Sequence, residues 1–306
     1  VTDDLDWSQN FPKDEFMINS EIFKAPEVEL EGYDALSHEK KIEMDRHRVA
    51  WNISQFLHGE QGALLVASQL VSCAPTFNAK MYAASQTFDE ARHVEGFNRY
   101  LKEKIGFQYP ATKGLKSLMD KILTDERWDL KFIGMQIIIE GLALAAFNNM
   151  KFILNDGLLK QLLHYVIRDE ARHVTFGVNY LEDYLKTLSK SEIEERAEFA
   201  FEACLVMRGR LISGEVVAKF LDYTPEEADR IAFESDQGQN FRTLLFTKIV
   251  PNLKRIGLLT DNVKEKYEQI GVLSYAELED NFNIDWAEMS KPYETQEEIE
   301  KAIRLV

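Results

Sequence analysis

Two copies of the pentapeptide Asp-Glu-Ala-Arg-His constrain the fold of this chain more than any other feature of its sequence. The copies run from Asp89 to His93 and from Asp169 to His173, 80 residues apart, in long stretches of helical character. Residues three apart lie on the same face of an α-helix, so the glutamate and the histidine of each copy point in one direction. One Glu-x-x-His occurs easily by chance in an acidic chain, whereas two equivalent copies indicate a common site.

Two further glutamates stand alone in apolar segments, and their spacing matches that of the pentapeptides. Glu60 precedes Glu90 by 30 residues, and Glu140 precedes Glu170 by the same 30. Glu60 and Glu140 are themselves 80 residues apart. Equal spacings of this kind indicate an internal repeat, and we predict two helical hairpins that carry the same functional positions.

Each predicted hairpin turns halfway between its two glutamates, at Pro75 in the first and at Asn155 in the second. Residues equidistant from the turn of an antiparallel hairpin lie at the same height, here about 22 Å from the turn. Pairing the two hairpins therefore brings four carboxylates and the imidazoles of His93 and His173 to one level of a helical core.

Electrostatics predicts what such a cluster holds. Four carboxylates buried together cannot all stay ionised unless cations accompany them. Two divalent ions balance four negative charges, and carboxylate oxygens with one imidazole per ion suit iron or manganese better than zinc. The sequence therefore predicts a site for two metal ions, with the ligands Glu60, Glu90, His93, Glu140, Glu170 and His173.

The remaining pattern is helical, and nothing in it is typical of a strand-rich fold, so we predict an all-α protein. It divides into an irregular N-terminal segment (1–36), a helical region with the metal site (37–187), and additional helices with an acidic tail (188–306). Helices are predicted at 37–73, 77–105, 124–154 and 158–187, with a short helix near 116–122.

Capping residues predict several helix ends. Thr124 is the predicted N-cap of the third long helix. Ser191 with Glu194, and Thr224 with Glu227, have the spacing of a capping box, which predicts the starts of two later helices.

Composition narrows the classes of partner. The 306 residues carry a formal net charge of -16, which repels phosphate backbones and anionic lipid surfaces, so we expect neither nucleic acid nor a membrane as partner. The most apolar stretch, 132–147, is too short to cross a bilayer and contains Gln136 and Glu140. The two cysteines, Cys73 and Cys204, make neither a disulfide framework nor a thiolate site, which favours a reducing compartment. We expect a cytoplasmic protein that forms a homodimer.

The paired motifs and the lone glutamates together resemble the ferritin-like di-iron carboxylate superfamily, most closely its O2-activating oxygenase and oxidase branches. The resemblance covers about residues 40–187 and implies a four-helix bundle over 37–187. It implies that Glu60, Glu90 and His93 serve one metal ion and that Glu140, Glu170 and His173 serve the other, with some carboxylates bridging. It also implies that aspartates orient the histidines and that arginines hold those aspartates; the residues concerned are Asp89, Asp169, Arg92 and Arg172.

The same resemblance implies an activity. Two iron ions, or a manganese–iron pair, would activate O2 and oxidise a small, largely apolar organic substrate by hydroxylation, N-oxygenation or a related reaction, with electrons from an external donor. Residues one or two turns from the ligands are expected to line the pocket, although helix packing explains them equally well. They are Phe56, Ala63, Ala83, Phe97, Gln136, Ala143, Leu144, Phe147 and Gly177.

Two other branches of the superfamily compete with the oxygenase hypothesis. A ribonucleotide-reductase small subunit resembles the chain in its paired motifs, but its usual radical tyrosine falls at Phe97, although the family includes a variant with phenylalanine there. Ferritin-type iron stores are much shorter chains. Against an oxygenase, Ala143 and Leu144 occupy the region where many oxygenases carry a threonine. Tyr100 and Tyr180, seven residues after the two histidines, are candidates for electron transfer or for symmetric packing.

Overall fold

Helices form the fold in the residues that the computed structural model describes, which are 5–208, 212–281 and 284–293. Within these ranges no strand is present, and the one β feature is an isolated antiparallel bridge between Ile18 and Leu154. The prediction of an all-α protein is therefore confirmed. In the predicted irregular N-terminal segment, the regular element described is a short 3-10 helix, Pro26–Glu29.

The first hairpin consists of α1 (His38–Cys73) and α2 (Phe77–Tyr100). Ser37 caps α1 by accepting a hydrogen bond from the Lys40 amide. A π-helical turn, Leu101–Ile105, extends α2 to Gly106, whose φ of 93° is a left-handed conformation that ends the helix. The observed bounds agree with the helices predicted at 37–73 and 77–105.

The helix α3 (Lys113–Thr124) is longer than the short helix predicted there, and it corrects the role of Thr124. Thr124 is the last residue of α3, and its hydroxyl donates to the Asp120 carbonyl at 2.7 Å. It therefore does not cap the next helix. Asp125 instead forms the turn between α3 and the next helix. Its carboxylate accepts hydrogen bonds from the amide and the guanidinium of Arg127.

The second hairpin begins with a helix of mixed geometry. The short helix α4 (Trp128–Phe132), a π-helical stretch (Ile133–Ile139) and α5 (Glu140–Ile153) follow one another without a break. The whole segment, Trp128–Ile153, is long and apolar enough to span a membrane, so the expectation from 132–147 that it is too short is wrong. However, 89% of its most apolar window is buried inside the protein, as in a core helix.

The helix α6 (Gly157–Leu185) completes the second hairpin after a sharp turn at Asn155 and Asp156. The Asp156 carboxylate accepts from the Leu159 amide at 2.9 Å and caps α6. Gly157 is therefore the first residue of α6.

The later helices are α7 (Lys190–Arg208), α8 (Gly214–Phe220), α9 (Pro225–Glu234), α10 (Asp236–Leu244), α11 (Val250–Arg255), α12 (Asp261–Gln269) and α13 (Trp286–Met289). The capping box of Thr224 and Glu227 is confirmed at the start of α9. The box predicted at Ser191 is wrong, because α7 begins earlier and Ser189 exchanges hydrogen bonds with Glu192 there. The end of the predicted acidic tail, 294–306, lies outside the described residues.

Packing between the hairpins positions the site. The helix α1 packs along α2, α5 packs along α6, and α2 also contacts α6. The chain at Lys248 and Ile249 packs so closely on α5 that a Cβ added to Gly141 would lie 3.2 Å from an Ile249 side-chain carbon. One continuous core extends from both hairpins into α7 and α11, and each fully buried Leu, Ile or Phe in it contributes about 1.5–3 kcal/mol.

Candidate metal centre

The structure brings the six predicted ligand side chains together inside the core. Four helices supply them: Glu60 from α1, Glu90 and His93 from α2, Glu140 from the first residue of α5, and Glu170 and His173 from α6. None of the six residues is more than 5% exposed to solvent. The ligand positions, which repeat at intervals of 30 and 80 residues, therefore converge on one buried point, as the hairpin geometry requires.

The six side chains form two overlapping groups rather than two separate ones. One group contains Glu60, Glu90, His93 and Glu170, and the other contains Glu90, Glu140, Glu170 and His173. Within each group, one candidate ligand atom per residue lies within 4.8 Å of all the others. Glu90 and Glu170 belong to both groups, which is the arrangement expected of carboxylates that bridge two cations.

Both histidines turn Nδ1 toward the carboxylates. His93 Nδ1 lies 3.1 Å from Glu170 and 3.2 Å from Glu60. His173 Nδ1 lies 3.2 Å from Glu90 and 3.7 Å from Glu170. Each ring therefore presents one nitrogen to the place where the two groups meet.

The other nitrogen of each ring is held from the opposite hairpin. His93 Nε2 lies 3.3 Å from Asp169 Oδ2, and His173 Nε2 lies 3.3 Å from Asp89 Oδ2. Each aspartate thus orients the histidine of the other pentapeptide, not its own. A carboxylate on the remote nitrogen fixes the tautomer and the orientation of a ligating imidazole.

Two arginines hold these aspartates in the same crossed way. Arg172 donates to Asp169 at 2.7 Å and to Asp89 at 3.3 Å, and Arg92 donates to Asp89 and to Asp169. Burial raises the pKa of the Asp89 carboxyl, but the hydrogen bond from His173 and the contact with Arg92 outweigh it and lower that pKa to about 2. The four side chains form a charged bridge between α2 and α6.

Several buried polar atoms at the centre of the site make no well-aligned hydrogen bond within the described part of the chain, although His93 Nδ1 and His173 Nδ1 lie 3.1 Å and 3.7 Å from the oxygens of Glu170. They are Glu90 Oε2, Glu140 Oε2, both carboxylate oxygens of Glu170, and His173 Nδ1. Leaving a buried polar group unsatisfied costs about 1–3 kcal/mol, and more for a charged one. Oxygen and imidazole nitrogen are the ligands that iron and manganese accept, so cations between the two groups would satisfy these atoms.

The protonation preferences of the cluster also indicate a deficit of positive charge. Burial, and then the charge of Glu170, hold the pKa of Glu60 and of Glu140 well above the usual glutamate value. Burial lowers the pKa of His93 and His173, but hydrogen bonds to carboxylates outweigh it and hold both well above the usual histidine value. The residues alone therefore retain protons that divalent cations would replace.

Two glutamines add a polar contact that the sequence predicted only in part. Gln136 was the polar residue expected to face the site, and its amide donates to Gln86 Oε1 at 3.1 Å. Gln86 in turn donates to Glu140 at 2.7 Å and to Glu90 at 3.2 Å. Gln86 is not among the predicted site residues, although it lies four residues before Glu90 just as Gln136 lies four before Glu140.

A small cavity opens beside the ligands, between α1 and α5. Its volume is about 20 Å³, enough for one molecule of the size of water. Four of the predicted pocket residues line it, namely Phe56, Ala63, Ala143 and Phe147. Gly59, Ile139 and Leu142 also line it, together with Glu60, Glu140 and Glu170, and the sequence did not single out the first three as pocket residues.

The other five predicted pocket residues are buried but do not line this cavity. Phe97 packs behind it against the rings of Phe56 and Phe147. Gly177 packs so closely on Gln136 that an added Cβ would lie 2.6 Å from the Gln136 Cβ. Ala83 and Leu144 are core residues at 2% and 3% exposure, respectively.

The two tyrosines that follow the histidines differ in their surroundings. Tyr100 is fully buried and donates to Asp156 at 2.8 Å. The hydroxyl of Tyr180 lies 2.7 Å from that of Thr76 in the turn of the first hairpin. Each tyrosine therefore ties its own hairpin to the turn of the other hairpin.

No protein-family model matches this chain, and no curated protein matches it. The structure itself shows an all-α protein with a buried Glu/His cluster that could hold metal ions.

Proposed function

We propose that this chain is a dinuclear iron oxygenase or oxidase of the ferritin-like di-iron carboxylate superfamily. Its substrates would be O2 and a small, largely apolar organic molecule. The observation that carries the proposal is the pair of overlapping ligand groups, which share Glu90 and Glu170 and leave buried oxygens without partners.

Charge and donor chemistry support two cations of the iron type. Four glutamates supply four negative charges, which two divalent ions balance, and a single imidazole in each group is the donor ratio of carboxylate-rich iron sites. A manganese–iron pair fits the same donors and remains the alternative composition. When bound, such an ion pair supplies the capacity to bind and reduce O2.

The residues around the ligands would support that chemistry in two ways. The crossed aspartates keep His93 and His173 oriented with Nδ1 free for a cation. The cavity wall of Phe56, Ala63 and Phe147 keeps water from the face where O2 and a substrate would meet. In a monooxygenation, one oxygen atom enters the substrate and the other leaves as water, with two electrons and two protons from an external donor.

The first test is metal content. Protein expressed with ample iron and manganese is expected to contain two metal ions per chain by elemental analysis. The variants Glu90→Ala and Glu170→Ala are expected to lose them, whereas Glu43→Ala, which changes an exposed glutamate of α1, should keep both. Metal-free wild-type protein, or unchanged metal content in the two ligand variants, would overturn the proposal.

The second test separates the oxygenase from other members of the superfamily. Anaerobic loading with iron(II) followed by O2 should consume O2 rapidly, produce a transient visible absorption and oxidise an added organic molecule. A stable tyrosyl-radical signal in electron paramagnetic resonance would favour a ribonucleotide-reductase-like subunit instead. Accumulation of very many irons per assembly would favour an iron store.

A further inference from the structure

A second and much larger cavity lies next to the metal-centre cavity. It has a volume of about 270 Å³ and is enclosed by the N-terminal segment, α1, α5 and the helices α8 to α10. Most of its lining is apolar, as shown by Ile18, Phe23, Leu30, Phe56, Met150 and Phe241. This volume approaches the range of small-molecule sites in proteins, which begins at about 300 Å³.

Phe56 belongs to the walls of both cavities. Its ring packs edge-on against Phe147, with the centroids 4.6 Å apart, and it is 5% exposed. The side chain of Phe56 therefore stands between the large cavity and the small one that Glu60, Glu140 and Glu170 line.

One wall of the large cavity carries a buried cation without a counterion. Arg242 on α10 is 3% exposed, and among the described residues no carboxylate pairs with it. Its Nη2 donates to the Phe233 carbonyl at 2.5 Å, while Nε and Nη1 have no hydrogen-bond partner there. The guanidinium carbon also lies 3.8 Å from the centroid of the Phe233 ring, a cation–π contact that stabilises the charge but does not neutralise it. Burial and the neighbouring charge of Arg208 lower the pKa of the Arg242 guanidinium. A buried guanidinium of this kind is costly unless an anion joins it.

The other charged residues of the cavity wall do not supply that anion. Arg48 is already balanced, at 3.2 Å from Glu27 and 2.9 Å from Asp45. Glu27 is thereby occupied, and Glu29 is an exposed residue of the wall. Arg242 is therefore the cation of this cavity wall for which the described residues provide no carboxylate partner.

We propose that the large cavity binds an apolar monocarboxylate, whose carboxylate pairs with Arg242 and whose hydrocarbon part lies along the apolar wall that Phe56 closes. A guanidinium presents parallel N–H donors that match the two oxygens of one carboxylate. The charge of Arg208 also reaches Arg242, but Arg208 does not line the cavity. The one guanidinium in the wall without a carboxylate partner among the described residues therefore balances a monoanion rather than a dianion such as a phosphate monoester. The further inference that this ligand is the substrate of the metal centre rests on the proposed function. Its binding in the large cavity does not depend on that function.

The test uses octanoate as the probe and 1-octanol as its uncharged match. Binding of both to the metal-free full chain is measured by isothermal titration calorimetry, so that neither ligand can coordinate a metal ion. We expect octanoate to bind at least about 10-fold more tightly than 1-octanol. Arg242→Gln should weaken octanoate by about 10- to 100-fold, the factor for a lost charge-assisted hydrogen bond, and leave 1-octanol nearly unchanged.

A matched control and a second variant keep this test decisive. Arg230→Gln removes an exposed arginine of α9, outside the cavity wall, and should leave octanoate binding unchanged. Arg242→Lys keeps a positive charge but loses the paired donors, so it should bind octanoate more weakly than the wild type and more tightly than Arg242→Gln. This intermediate affinity would show that the loss in Arg242→Gln is not caused by misfolding. Equal binding of octanoate and 1-octanol, or octanoate binding that Arg242→Gln does not alter, would overturn the inference.

Failure of this inference can be told apart from failure of the proposed function. Protein that contains two metal ions and consumes O2 but does not prefer octanoate would refute the carboxylate site alone. Protein that binds octanoate through Arg242 but takes up no metal would refute the proposed function and leave the binding site standing.

Discussion

The two hairpins carry the same ligands in different surroundings. In the first hairpin, the rings of Phe56 and Phe97 contact each other with their centroids 6.1 Å apart. The positions 80 residues later are Gln136 and Gly177, which also contact each other but as a polar side chain against a bare backbone. The hairpins thus agree at the ligand positions and diverge one turn away.

The divergence reaches the carboxylates themselves. Glu60 lies in the unbroken helix α1 and pairs with His93 at 3.2 Å. Glu140 directly follows the π-helical stretch Ile133–Ile139 and accepts from Gln86 instead, which leaves its Oε2 without a partner. Departures from regular helix often mark functional sites. The repeat thus preserves the six ligand-type residues, while the surroundings of the two overlapping groups are not equivalent.

The largest expected effect is on metal stoichiometry, and it distinguishes a ligand that both groups share from a ligand that belongs to one group. Glu170→Ala removes a member of both groups and should abolish binding of both metal ions, whereas Glu140→Ala removes a member of one group and should leave one ion bound. Elemental analysis of the purified variants measures the stoichiometry. Loss of both ions from Glu140→Ala as well would show that the two positions depend fully on each other.

Removing the metal should destabilise the protein more as the pH rises. Glu60, Glu140, His93 and His173 all have a pKa raised in the folded chain, so the stability they confer is present below the ordinary pKa and is lost as pH rises through the folded value. Above about pH 4.5 the metal-free protein should therefore weaken with pH. The metal-bound protein, whose ligands are already deprotonated, should not.

Thermal unfolding of both forms between pH 5 and pH 8 measures this difference. A metal ion present at 100-fold over its Kd stabilises by about 3 kcal/mol, which for a chain of 306 residues corresponds to a rise of roughly 4–5 °C in Tm. The gap between the two forms should widen toward pH 8. A gap that is constant with pH would mean that the cluster does not hold protons in the absence of metal.

The crossed aspartates should make the metal affinity of each pentapeptide motif depend on a residue of the other hairpin. Asp169→Asn weakens the acceptor of His93, and Asp89→Asn weakens that of His173, so each variant should lower the metal affinity of the opposite motif by about 10- to 100-fold. Anaerobic titration with iron(II) against a chelator measures the two binding steps. Asp183→Asn, at a position 89% exposed in its side chain, is the control that should change neither step.

The smallest expected effect concerns the hydrogen bond that Glu140, unlike Glu60, accepts from Gln86 on α2. Gln86→Leu removes the hydrogen bond to Glu140 and should weaken one of the two binding steps by roughly 10-fold, because a hydrogen bond to a charged group contributes about 1.5–3 kcal/mol. The step that depends on Glu60 should change less. Equal weakening of both steps would indicate that Gln86 acts mainly through the shared Glu90.

The ligand set could be predicted because helical periodicity reports which side chains share a face, and equal spacing from a turn reports which share a height. These two rules suffice to bring Glu60, Glu90, Glu140 and Glu170 together. The residue types at helix ends predicted the capping residues less accurately. Thr124 has the chemistry of an N-cap but donates to a carbonyl within its own helix, and Ser189 rather than Ser191 accepts the capping hydrogen bond at the start of α7. Neighbouring polar residues compete for such roles, and tertiary packing decides between them.

By itself the sequence determined an all-α chain in which six ligand-type side chains meet, since both properties follow from residue types at fixed intervals along helices. Only the tertiary structure decided that each aspartate serves the histidine of the other hairpin, and that Arg242 is buried beside an apolar cavity. Those contacts join segments that are distant along the chain. They depend on how whole helices pack against one another, and no interval in the sequence records that packing.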